Sequence, residues 1–131
     1  MLMSQEEEFI RAFIMPERQQ RYAELLASPK RRHGFLVRLS HHLDYDPSYA
    51  TRIPPSEHTP EGIGRLLRQR GAPAICHAIS SHRDWDAREF RLDEALELIV
   101  SFGMGTVLCC IPGKLAFYEA DWPGRRYILS R

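Results

Sequence analysis

The chain has 131 residues, 44% of them hydrophobic and 27% charged, with 18 basic against 17 acidic side chains. That length suits one domain with its own core, and the composition excludes bulk disorder and a histone-like polycation. No apolar run approaches the ~20 residues of a membrane-spanning helix, and the acidic start, MLMSQEEEF, lacks the basic and apolar regions of a secretion signal.

Ser4 followed by Glu7 is a capping-box pattern and opens a helix over residues 4–14, with Phe9, Ile10, Phe13 and Ile14 on one face. Pro16 fits the first position of a second helix, 16–27, with Tyr22, Leu25 and Leu26 inward and Arg18 and Arg21 outward. Ser28-Pro29 repeats the start signal for a helix over 29–43 that buries Phe35, Leu36, Leu39 and Leu43. At ~100° per residue, Lys30, Arg31, Arg38 and His41 share the opposite face, with Arg32 beside them, and no acid occurs between residues 25 and 43.

Residues 44–59 carry Asp46-Pro47 and Pro54-Pro55 and are expected to form a long loop, the seam between two halves. Thr59-Pro60 opens a helix over 60–70 that Gly71 ends, with Glu61 and Arg65 as an i,i+4 pair. AICHAIS, 74–80, alternates as a strand, with His77 on the face of Ile75 and Ile79 and Cys76 on the other. A polar loop leads to a short strand over 88–92. The next helix, 93–102, has Asp93 as its cap, turns Ala95, Leu96, Ile99 and Phe102 to the core, and stops at Gly103. TVLCCI, 106–111, is apolar on both faces, as suits a central strand covered on both sides. Pro112-Gly113 and Pro123-Gly124 fit type II turns between three closing strands.

The sum is an α+β fold over residues 1–131, with a helical half at 1–71 and a sheet half at 72–131. Three to four helices precede a mostly antiparallel sheet of four to five strands, with one helix inserted in its connections.

Three constellations carry possible chemistry. Lys30, Arg31, Arg32 and Arg38, with His41, would hold a phosphate backbone or another polyanion. The balanced net charge and the lack of a nucleic-acid-binding motif favour a solvated helix face instead. Residues 82–89 gather His82, Asp84, Asp86 and Glu89, but their spacing matches no calcium loop. His77 would meet a cysteine if its strand paired with 106–111, which suits a Cys–His nucleophile or zinc. There is no CxxC or HxxxH, so Cys76 and Cys109 fit better as small core residues. An odd count of three cysteines, two of them adjacent, is a poor disulfide framework.

The function expected from this is a small cytoplasmic protein-interaction or regulatory module without catalysis of its own. Its partner would be another protein or a second copy, with no membrane and no cofactor or metal. Tyr45, Tyr49, Trp85 and Trp122 fall in loops and are the candidate contact residues, since aromatic side chains are enriched at interface hot spots. The alternatives are polyanion binding by helix 29–43 and a small enzyme built on His77 and the 82–89 loop.

Overall fold

The computed structural model of the chain describes residues 3–121 and 125–131. It is an α+β fold in which one six-stranded antiparallel sheet carries helices on both faces.

Helices α1 (Gln5–Phe13), α2 (Pro16–Ala27) and α3 (Arg32–His41) come first. Ser4 caps α1 by accepting from the Glu7 N–H at 3.1 Å. The start of α3 lies three residues later than Ser28-Pro29 implies, because residues 29–31 form a turn held by the Ser28 carbonyl. Strand β1 (Ala50–Arg52) and helix α4 (Pro60–Gln69) follow, the latter capped by the Thr59 hydroxyl, which accepts from Gly62 N–H. Then come β2 (Ile75–Ser80), β3 (Arg88–Arg91), α5 (Leu92–Phe102), β4 (Thr106–Ile111), β5 (Leu115–Glu119) and β6 (Arg126–Ser130).

The strand order is β1-β6-β5-β4-β2-β3. The sheet has one strand more than the expected upper count, because residues 50–52 leave the 44–59 loop and pair with β6. The β4–β5 turn closes through Lys114 N–H to Ile111 O, with Gly113 at φ 69°, as Pro112-Gly113 requires. The second Pro-Gly turn lies outside the described residues.

Alternation along the strands builds two cores. Ile79, Val107, Cys109, Ala116, Tyr118 and Leu129 point to α1–α3. Cys76, Ala78, Leu108, Cys110, Phe117 and Ile128 point to α4 and α5. The central strand β4 is thus covered on both sides, and the adjacent cysteines face opposite layers. All three thiols are buried.

Three expectations for α5 and α4 are corrected. Arg91, not Asp93, occupies the cap position of α5, and Phe102 is 65% exposed instead of core-facing, because Gly103 turns the chain at φ 65° just after it. Arg65 pairs with Glu57 at 2.5 Å instead of Glu61.

Candidate functional site

Helix α3 lies with Phe35 and Leu39 against the sheet and Leu36 half-buried. Its outer face shows Arg38 and His41 to solvent, and the turn before it shows Lys30 and Arg31. Among the described residues, Lys30, Arg31 and Arg38 have no carboxylate partner. Between these cations lie Gly34, also exposed, and Val37 at 42% exposure. A β-carbon on Gly34 would meet only Leu25 Cδ2 at 3.8 Å and Leu25 Cδ1 at 4.0 Å, an ordinary contact. Nothing in the fold therefore requires a glycine there, although glycine costs a helix interior about 1 kcal/mol relative to alanine. Neither Gly34 nor Val37 stood out in the sequence, since an inward and an outward apolar residue look alike at helical spacing.

Arg32 departs from the basic face. Its side chain is 16% exposed and lies between two carboxylates. Nη1 and Nη2 donate to Glu6 of α1 at 2.7 and 2.8 Å. Nε and Nη2 donate to Asp86 at 2.7 and 2.9 Å. Its place next to Lys30 and Arg31 in the sequence put Arg32 among the anion-binding candidates, but its partners are 26 and 54 residues away in sequence. Asp86 also accepts from Ser80 N–H at 3.0 Å. The next residue, Ala87, sits at φ 61°, a strained value for a residue with a β-carbon, and closes the loop through its N–H to Ala78 O.

The network continues into the sheet. His77 Nε2 lies 2.7 Å from Glu6 Oε2, and Nδ1 lies 2.8 Å from Glu89 Oε1. Carboxylates only accept hydrogen bonds and a neutral imidazole has one N–H, so both contacts are satisfied together only by imidazolium. Accordingly the Glu6 hydrogen bond holds the His77 pKa above its ordinary value against the opposing effect of burial, and Glu89 adds to it. For Glu6, burial works to raise the pKa, but hydrogen bonds from Arg32 and His77 and their charges outweigh it and bring the carboxyl down to about 2.

These shifts set a pH dependence. A group whose pKa rises on folding stabilises the fold while it stays protonated. The His77 contribution is therefore complete below the unfolded value of 6.5 and is lost as pH climbs through the raised folded value. Glu6 works in the other direction: its contribution is present above 4.5 and disappears as pH falls toward 2. Urea midpoints should therefore decline from neutral into alkaline pH in the wild type and lose that decline in His77→Gln. Parallel profiles for the two proteins would show that His77 does not carry the effect.

The remaining candidates are placed as follows. Trp85, expected at the surface, is 8% exposed, because its ring stacks on His82 at 4.0 Å and meets the edge of Phe102 at 5.6 Å. Tyr45 is half-buried against Tyr118 and Tyr127, and Tyr49 is half-buried between Phe13 and the Arg131 guanidinium. Trp122 lies outside the described residues. Strand β2 does pair with β4, with His77 opposite Cys109. Burial pushes the Cys76 and Cys110 thiols up to about 12 and Cys109 well above its ordinary value, so all three stay protonated at neutral pH. The 82–89 loop does converge with His77, through Asp86 and Glu89, and Asp84 remains exposed. Among the described residues no group of three or more His, Cys, Asp or Glu side chains is arranged to hold a metal ion, and no helix is long and apolar enough to cross a membrane.

Comparison with protein-family models, curated proteins and solved structures found no match to this chain.

Proposed function

We propose that this chain is a protein-interaction module whose partner presents an acidic, partly apolar surface to the outer face of α3. The observation that supports it most is the contrast within one helix. Arg32 is held by two carboxylates, while Lys30, Arg31 and Arg38 are left without any around an exposed Gly34 and Val37. A glycine there lets another backbone approach closely, and the valine offers an apolar contact, with cations as a rim. That arrangement suits a helix or strand of a protein better than a phosphate backbone, which has no use for Val37. Exposed Glu17 and Glu24 on the neighbouring α2 also limit the extent of positive surface. The protonated thiols and the doubly bonded His77 favour binding over nucleophilic chemistry.

The test is a photo-crosslinking side chain in place of Val37, used in the cell that makes the protein. The expected result is a protein adduct joined through an acidic segment, lost when Arg31→Glu and Arg38→Glu are introduced. Nucleic acid in the adduct would favour the polyanion alternative, and adducts insensitive to charge reversal would overturn the proposal. Gly34→Ala gives a second reading. It should stabilise the fold by about 1 kcal/mol in urea titrations while weakening capture of the partner. Unchanged capture would remove the role given to the glycine.

A further inference from the structure

Where α3 ends, its last residues close a recess over strands β5 and β6. The cavity measures about 60 Å³ and is lined by His41, His42, Tyr45, Tyr118, Tyr127 and Arg125, with Leu43 and Ala120 as its apolar part. That volume holds roughly four atoms the size of a water oxygen. The three tyrosine rings stand 5.3–6.2 Å apart, and Tyr118 and Tyr127 stack across paired strands.

The polar groups lining the recess are rich in donors. Arg125 is exposed and has no ion pair among the described residues. Burial and a hydrogen bond with the Tyr127 hydroxyl push the Tyr45 phenol up to about 12, so at neutral pH it keeps its proton, and with one proton spent between the two rings the pair has one donor left to offer. The two imidazoles each offer an N–H in either protonation state. Among the described residues no carboxylate lines the recess. The acids nearest to it are already engaged: Asp44 accepts from Tyr22 and lies 3.4 Å from His42, and Asp121 accepts from Gly105 N–H at 2.7 Å. The charges of these two carboxylates and the carbonyl end of α3 oppose an anion, and Arg125 must outweigh them. The helix end is the lesser obstacle. It is covered in part, because the Tyr118 hydroxyl donates to Leu39 O at 2.7 Å and His42 N–H to Arg38 O at 2.9 Å.

We propose that this recess is a binding site for one phosphate-type oxyanion, with Arg125 as its charge partner and the Tyr45–Tyr127 hydroxyl pair and the two histidines as hydrogen-bond donors. The anion head fits inside and anything attached to it extends through the open side. The site is separate from the docking role given to α3: Arg31 tests that role and Arg125 tests this one.

The experiment is a titration with inorganic phosphate at constant pH and ionic strength, followed by the imidazole and tyrosine ring signals in NMR spectra. Saturable shifts confined to His41, His42 and the three tyrosines are expected. Arg125→Gln should weaken binding about tenfold, the effect of losing one charge-assisted contact. Tyr127→Phe, which keeps the ring, should weaken it severalfold. Arg91→Gln removes the same charge from the far edge strand, β3, and serves as the comparison. Equal weakening by Arg91→Gln and Arg125→Gln would mean a general charge effect and would overturn the proposal, as would shifts that chloride reproduces or that never saturate. A parallel titration with phenyl phosphate identifies the source. Tighter binding than inorganic phosphate assigns the site to a phosphate ester, and equal or weaker binding assigns it to the free anion.

Discussion

Replacing Arg32 with methionine is expected to destabilise the protein by about 3 kcal/mol, the scale for removing one partner of a mostly buried ion pair. The loss comes less from missing attraction than from what remains. Glu6 and Asp86, whose side chains are 14% and 13% exposed, would keep their charges without the guanidinium that bonds both. Asp86→Asn should cost less, because Arg32 retains Glu6. It should leave the 81–87 loop tied, because the asparagine Oδ1 still accepts from Ser80 N–H, whereas Asp86→Ala should release it. Urea unfolding with an unchanged slope would measure both. A loss under about 1 kcal/mol for Arg32→Met would place the network with ordinary surface pairs.

Gly105→Ala is expected to cost a similar amount, about 3 kcal/mol, by overpacking. A β-carbon there would lie 2.7 Å from the Leu39 carbonyl carbon and oxygen and from Ser40 N. Those are backbone atoms of α3 and cannot rotate aside, so the helix must lift from the sheet. Lifting would break the Tyr118–Leu39 hydrogen bond and disturb the tyrosine recess. The variant should therefore show altered tyrosine fluorescence together with its lower stability. Native-like stability would mean that α3 and the segment before β4 are less tightly apposed than their geometry indicates.

Local chemistry was legible in the sequence and distant pairing was not. Ser4, Thr59 and Gly103 signalled their helix ends because a cap acts within a few residues. Both-sided burial of β4 was legible because Val107 and Leu108 are both apolar, and a strand sends neighbours to opposite faces. Strand β1 was hidden, since Ala50-Thr51-Arg52 is too short to alternate and lies between prolines that signal loop. Its strand character comes from β6, more than seventy residues later. The network of Glu6, Arg32, His77, Asp86 and Glu89 was hidden for the same reason. Glu6 and Arg32 looked like surface charges on their own helices, and His77 like a core histidine that could meet the 82–89 loop; only the packing of α1 and α3 on β2 joins them. Trp85 was misplaced because a loop position says nothing about which rings will cover it.

The position of β6 has a consequence for how the chain is made. Of the six strands of this sheet it is the last to be synthesised, yet it lies inside the sheet, between β5 and β1. While translation proceeds from the N-terminus, α1–α3 emerge before any of the strands whose side chains cover Phe9, Phe13 and Leu39. Edge strand β1 has no neighbour to bond until residues 126–130 have emerged. Closure of the sheet thus waits for these residues, and a nascent chain stalled before them has an open β5 edge and an unpaired β1, the kind of exposed strand edge that recruits chaperones.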